Sequence, residues 1–343
     1  EWMGRLTEID YYTVPPQSAC RCSWQFGTTT PPPQVLNICH VLGQKRSHLP
    51  LSSPLPITRY RLNYQVIQTI LWPEYAGSAL RGALGHALKK IACRHPEQEN
   101  CPCPPQRPCL YRQLFDPHPQ ALLHPQPQDV PAPLVIEPGS HGQTEEAGQT
   151  GHFDLVVIGV LAHQNLPLLE LAWQLALQQG VGLKHRHGRR GTAHLLGMTA
   201  LDRPEADPQP PGSPLTLDLL SPLRLQHQQR WVTPGQLSPR ILIQAISRRQ
   251  QLVSRVYAVE GQTLPPPLPF ALIDSIGLHE HTQWMSWTRW SNRQHREMSL
   301  DGLTGTLQLH PVPAGVWPTL YLGQWLHVGK NSMFGLGHYR LEA

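Results

Sequence analysis

Between residues 59 and 70 the chain reads RYRLNYQVIQTI, with Tyr60, Leu62, Tyr64 and Val66 alternating against Arg61, Asn63 and Gln65. A period of two puts the apolar set on one face of a half-buried strand. After Pro73 the period changes. In AGSALRGALGHALKKIAC, Ala76, Leu80, Ala83, Leu84, Ala87, Leu88 and Ile91 recur at helical spacing, which predicts an amphipathic helix. Its internal glycines, Gly82 and Gly85, each cost roughly 1 kcal/mol relative to alanine. They mark either close approach by another backbone or tight packing on a sheet. PLVIEP at 133–138 and the unbroken apolar run FDLVVIGV read as strands. LPLLELAWQLALQQG reads as a helix with Asn165 as N-cap and Gly180 as terminator, and AHLLGMTAL as a closing strand. The order strand, helix, strand, strand, helix, strand is the ferredoxin-like arrangement.

The order recurs after the proline-rich RPEADPQPPGSP. LTLDLLSPLRL is a strand, and SPRILIQAISRRQQLVSRVYAV is a helix with Ser238 as N-cap and Pro239 in its first position. QWMSWTRWS and LTGTLQL are strands, GVWPTLYLGQWL is a short helix and GHYRL is the last strand. The fold class expected is α+β, with two tandem ferredoxin-like (RRM-like) domains and a Cys-rich insertion in the first. Residues 1–54 read as a Pro/Cys-rich N-terminal extension, 55–203 as the first domain with its insertion at 93–130, 204–213 as a linker and 214–343 as the second domain.

Length and composition agree with this division. The chain has 343 residues, 40% hydrophobic and only 15% charged, which suits two packed domains and argues against disorder or a coiled coil. Thirty-seven prolines imply several stiff loops. No apolar window reaches membrane-spanning length and the first residues carry no secretion pattern, so the reading is cytoplasmic, with no membrane partner. A net charge of +5 with 19 histidines mildly favours an acidic partner, and the local clusters matter more.

Two loops concentrate that charge. VGKNSMFGLGHYRL, at 328–341, falls between the second helix and the last strand of the second half. It is not a P-loop: Gly323 precedes Gly329 by one residue too many, Lys330 is followed by Asn331, and the segment follows a helix. Nor is GLGHYR a dinucleotide fingerprint, since Arg340 stands where the third glycine belongs. Gly329, Asn331, Ser332, Gly335 and Gly337 remain as a loop whose amides could face an anion, with Lys330, His338 and Arg340 supplying charge, or as an ordinary glycine-rich turn. The corresponding loop of the first half, GVGLKHRHGRRGT, places Lys184, His185, Arg186, His187, Arg189 and Arg190 within seven positions, a density suited to consecutive phosphates or to a solvated charged loop. Arg248 and Arg249 add charge from a helix. Trp284, Trp287 and Trp290, flanked by Arg289 and Arg293, are either stacking platforms for unpaired bases or core residues.

GSALRGALGHALKKIAC, the Cys insertion ending in CLYRQLF, FDLVVIGV, WTRWSNRQ and HVGKNSMFGLGHYRL occur in this order. Over roughly residues 55–343 they resemble the CRISPR-associated precursor-RNA processing endoribonucleases of the RAMP superfamily. The resemblance implies binding of CRISPR repeat RNA and its cleavage to mature crRNA without a metal cofactor. The ribose 2′-OH would attack the adjacent phosphate to leave 2′,3′-cyclic phosphate and 5′-hydroxyl ends. It implies a base near the first helix, and His86 fits, with Tyr75 to orient the hydroxyl and Arg81 or Lys89 to stabilise the phosphorane; His185, His187 and His338 are reserves. The competing reading is a non-catalytic crRNA-binding subunit of the same superfamily, held with other CRISPR effector subunits.

Cys93, Cys101, Cys103 and Cys109 have the spacing C-x7-C-x-C-x5-C. They are either a structural Zn²⁺ site, with His95 able to replace one thiol, or free cysteines in an ordered loop. Cys20, Cys22 and Cys39 carry no firmer assignment.

Overall fold

The computed structural model describes residues 54–99, 101–104, 107–117, 130–185, 188–205, 208, 214–259, 266–291 and 296–342, with residues 288–291 and 296–298 described by backbone alone. Almost all of the expected extension, most of the linker, residues 100, 105, 106 and 118–129 of the insertion, Arg186, His187 and Arg293 lie outside these residues.

The alternating stretch at the start forms β1 (Ile57–Gln68), the centre of a five-stranded antiparallel sheet. On one side it pairs with β3 (Thr150–Ile158), which carries β2 (Leu134–Pro138) at its outer edge. On the other it pairs with β5 (Arg190–Asp202), which carries β4 (Val181–Lys184). Helices α1 (Gly77–Ala92) and α2 (Leu166–Gln179) cover one face. Leu62, Tyr64, Leu80, Leu84, Leu88, Phe153 and Trp173 fill the space beneath them. Each such aliphatic side chain contributes roughly 1.5–3 kcal/mol on leaving water.

The second half repeats the plan. Strand β6 (Leu215–Leu223) lies between β8 (Gly302–His310) and β9 (Tyr339–Glu342), and β7 (Gly277–Met285) pairs with the far side of β8. Helices α3 (Pro239–Tyr257) and α4 (Trp317–Leu326) pack on this sheet. Setting aside the extra edge strand β4, both sheets have the ferredoxin-like strand order, so the fold class is as expected.

The unbroken run FDLVVIGV has a physical cause. Leu155 and Val157 enter the first core, whereas Val156 and Ile158 face the other way and meet Val253, Trp325 and Leu326 of the second half. A strand buried on both faces shows no alternation. The polar face of β1 is covered only at its start, where Arg59 pairs with Glu137 and Asp202, both at 2.7 Å; beyond it Arg61, partly exposed, pairs with Asp154 at 2.9 Å, and Gln65 and Ile67 are exposed.

Four local expectations need correction. GVGLKHRHGRRGT is mostly a β-hairpin, since Val181 pairs with Gly191 and Lys184 with Arg190; it is therefore not the same kind of loop as its counterpart in the second half. QWMSWTRWS is not one strand: β7 begins at Gly277 and ends at Met285, and Thr288–Ser291 pairs separately with Arg296–Ser299. Asn165 holds the N-cap position of α2 without capping it, because its amide donates back to the Leu161 carbonyl at 2.8 Å. Gly85 is required by the Phe115 ring packed against it, a side chain rather than a backbone, whereas Gly82 faces open space. Ser238 does cap α3, accepting from the Ile241 amide at 3.3 Å.

Candidate nucleic-acid interface

The glycine-rich loop is pinned from three sides. Residues 327–331 run antiparallel to the chain at 337–338 and beside Arg224, where Lys330 donates to the Arg224 carbonyl at 2.9 Å and Val328 to the Gly337 carbonyl at 3.0 Å. Ser332–Phe334 then makes one 3₁₀ turn, bounded by Asn331 and Gly335 in left-handed conformations. A side chain on Gly335 would collide with the Ile136 carbonyl of β2, and one on Gly337 with the Val328 carbonyl. The amides of Lys330, Phe334, Gly335 and Gly337 all donate to internal carbonyls. These glycines thus serve close backbone packing, and the anion cradle expected from them is not what their amides form.

Beneath the loop lies a charged cluster that the sequence did not suggest. Glu137, on β2, accepts from the Arg59 guanidinium at 2.7 and 3.1 Å and from His327 Nε2 at 2.8 Å. His327 is fully buried, with positive φ at the end of α4, and His338 stacks on it with ring centroids 4.5 Å apart. Burial alone would raise the Glu137 carboxyl, but the two imidazoles and Arg59 bring it down to about 2. Burial, with His327 beside it, pushes His338 down to about 3, so the ring is neutral. His338 is a packed strut, 3.7 Å from Glu137, rather than an open phosphate ligand.

Tyr75 and Arg81 belong to this same junction. Tyr75 is buried and donates to the Phe334 carbonyl at 2.8 Å. Its ring packs against both His141 and Trp287, with centroids at 5.1 and 5.0 Å, and those two rings are 6.4 Å from each other. Burial, with Glu137 nearby, raises its phenol well above the usual range. The Arg81 guanidinium sits over the Phe115 and Phe334 rings and donates to Met333 Sδ at 3.2 Å.

His86 is elsewhere. Five positions past Arg81, it turns onto the exposed face of α1, where Nδ1 is 2.7 Å from the Gly82 carbonyl. A carbonyl can only accept, so Nδ1 carries a proton, and Nε2 is the ring nitrogen left for other partners. Lys89 is one turn on, with its ammonium on the Gln98 and Glu99 carbonyls of the insertion. The structure therefore brings together His86 with Lys89, and Tyr75 with Arg81, as two separate pairs.

The basic residues also divide. Lys184 and Arg189 are exposed at the hairpin tip. His185 contacts the Thr69 carbonyl at 2.7 Å, and Arg190 is tied to the Gly182 carbonyl. Arg248 is exposed and lines a cleft of about 170 Å³ with Gln226, His227 and Gln228. Arg249 instead donates to the Leu326 carbonyl at 3.2 Å, where burial lowers its guanidinium to about 10; it joins α3 to α4. Arg340 pairs with Asp218 and Glu342. Trp284 packs against the second core.

Sequence reasoning missed Glu137, His327 and His141. The one available signal was a lone carboxylate inside the apolar PLVIEP, which demands a buried partner.

Two ferredoxin-like units are thus joined by a buried ionic cluster, with basic residues at their edges and a C-terminal glycine-rich loop. Residues 217–339 match the family model for the CRISPR-associated endoribonuclease Cas6, and residues 55–209 match the AF_1859_N model, described as an N-terminal domain. No curated protein sequence matches the chain. Among solved structures, it is similar to a Cas6 product complex (15% identity, 84% of this chain and 100% of that one, TM-score 0.46). It is also similar to Cas6 from Thermus thermophilus (12%, 84% and 99%, 0.46) and to a RAMP protein binding different RNA substrates (9%, 83% and 100%, 0.44). No helix among the described residues is long and apolar enough to cross a membrane.

Proposed function

We propose that this protein binds CRISPR repeat RNA and cleaves it without a metal, by attack of a ribose 2′-OH on the adjacent phosphate. The observation that carries this reading is His86: an exposed imidazole on the first helix, with Nδ1 committed to the Gly82 carbonyl and Nε2 open as a base. His86 takes the 2′-OH proton, O2′ bonds to phosphorus and the P–O5′ bond breaks. The ends are a 2′,3′-cyclic phosphate and a 5′-hydroxyl once the leaving oxygen gains a proton. Lys89 stabilises the developing charge after leaving the Gln98 and Glu99 carbonyls. Tyr75, its hydroxyl committed to Phe334, positions the loop and takes no proton. Lys184 and Arg189 hold the RNA backbone, and product release is slow enough for the protein to pass its crRNA to an effector complex.

One observation favours the alternative, an RNA-binding subunit without cleavage: Tyr75 and Arg81 are built into the junction with the loop and do not join His86 and Lys89. Incubating the protein with repeat RNA in excess EDTA, beside the same RNA carrying a 2′-deoxy at the cleavage position, separates the two. The proposal expects cutting of the first only. Cutting of both, or of neither, sinks it.

Replacing Lys184 and Arg189 with alanine together is expected to lower the slope of log K against log[salt] by about 1.4, at roughly 0.7 per phosphate contact on single strands. Filter binding across a salt series measures this. An unchanged slope would remove the hairpin tip from the interface.

A further inference from the structure

We propose that Cys93, Cys101, Cys103 and Cys109 bind one Zn²⁺ as a closed, structural four-thiolate site, and that this ion orders the insertion which holds Lys89. The site is independent of RNA cleavage and stands on the geometry of the sulfurs.

Cys93 Sγ lies 3.5 Å from Cys101 Sγ, and Cys101 Sγ 3.5 Å from Cys109 Sγ. All three sulfurs lie within 4.8 Å of one another. Cys103 packs against this group of three, and its sulfur lies outside the 4.8 Å set, so it would close in as the fourth ligand on binding. Three of the four are buried and Cys103 is half-buried. Two sulfurs bound to one tetrahedral zinc at ~2.3 Å sit about 3.8 Å apart, close to the separations seen. A disulfide would need about 2.05 Å, and the 3.5 Å gaps exclude a formed bond. An iron–sulfur cluster places its cysteines on different iron atoms and so spreads them more widely than this group. A single four-coordinate ion is the occupant that fits.

The surrounding chain explains why an ion is needed. The described residues between 93 and 109 form no helix or strand of their own, and the cysteines make a small cluster that meets the first core through Tyr111. A proline-rich loop with so little apolar surface cannot offset its ordering entropy by burial alone, and a bound metal supplies what is missing. The loop is tied into α1 at both levels. Cys93 caps the helix, its amide donating to the Lys89 carbonyl at 3.1 Å, and the Lys89 ammonium returns to the Gln98 and Glu99 carbonyls. Arg112, paired with Asp116 through Nη1, also ties the loop down with Nη2 3.4 Å from the Cys101 carbonyl. A second group, Glu137, His327 and His338, also has ligand-type atoms close together. There Arg59 already occupies both Glu137 oxygens, so the carboxylate is neutralised without a metal.

The test is metal analysis of the full chain purified without a polyhistidine tag. About one zinc per chain is expected, and it should fall to background in the Cys101→Ser/Cys109→Ser double variant while His327→Ala keeps it. Because the double variant could fail to fold, the reduced apo wild-type protein is also titrated with cobalt(II) alone. A thiolate-to-cobalt charge-transfer band of four-thiolate intensity with tetrahedral ligand-field bands is expected. Under about 0.3 zinc per chain together with no cobalt spectrum overturns the site. So does zinc retained at full occupancy by a folded double variant, which would place the ion elsewhere.

Discussion

His86→Ala is expected to slow cleavage of CRISPR repeat RNA about 10²–10⁴-fold, the range that a positioned general base supplies, while leaving RNA affinity nearly unchanged. The split follows from where the side chain sits. His86 is exposed, and its one recorded hydrogen bond is to its own helix, at Gly82. Removing it opens no cavity and strands no buried partner, so stability should stay within about 0.5 kcal/mol. Single-turnover cleavage and equilibrium binding on the same RNA are the two measurements. An unchanged cleavage rate would take His86 out of the chemistry. Matched losses of rate and affinity would make it a binding residue instead. His86→Lys adds a control, since it keeps a nitrogen on that face but has no neutral ring to accept a proton near neutral pH; it should bind and fail to cut.

Periodicity made the fold legible because most of its elements obey the simple case. β1 has one apolar and one polar set, α1 has one apolar stripe, and α3 announces itself with Ser238 and Pro239. Expectations failed where a second constraint acted on the same residues. The period-two face of β1 is sound, but the start of its polar face is buried too, under α4, where Arg59 pairs with Glu137 beside Trp325. Gly-rich composition in the two loops looked equivalent. One is a hairpin in which Gly182 and Gly191 let the strand pass the backbone at Ile70–Leu71, and the other is a loop pressed onto β2. Composition reports that a backbone must come close, not what it comes close to.

The candidate site was legible as a set of residue types and not as an assembly. Tyr75, Arg81, His86 and Lys89 all fall on or beside α1, so sequence distance grouped them. Helical rotation then divides them, since Arg81 points with Gly85 toward Phe115 while His86 points with Gly82 toward solvent. Arg249 and Arg340 looked like free cations because a charge pattern carries no record of tertiary partners. Their neighbours, the Leu326 carbonyl and Asp218, are 77 and 122 residues away in sequence.

Glu137→Gln is expected to cost about 3–5 kcal/mol of folding stability, the range for removing one partner of a buried ion pair, and to remove much of the protein's sensitivity to acid. Glu137 is 8% exposed and Arg59 12%, so the amide variant leaves a buried guanidinium whose remaining carboxylate is the half-exposed Asp202. Arg59 and the fully buried His327 are left to share the single neutral amide oxygen as acceptor. The sign of the pH effect follows from the two displaced groups. Glu137 is lowered from 4.5 to about 2 in the folded state, so its contribution is complete above the unfolded value and drains as pH falls from about 4.5 toward 2. His338 is lowered from 6.5 to about 3, so neutral packing against His327 adds stability above about 6.5 and loses it as pH falls toward 3. Wild-type stability should therefore decline from near pH 6.5 and more steeply below 4.5, with Arg59, Asp202, His327 and Arg340 as the charged groups facing the cluster. Urea denaturation at a series of pH values compares the two proteins. In Glu137→Gln the steep lower limb should flatten, because the group that binds the extra proton on unfolding is gone. Curves that run parallel down to pH 3 would show that acid sensitivity arises elsewhere, and a loss below about 1 kcal/mol at neutral pH would show that the cluster does not hold the glycine-rich loop to β2.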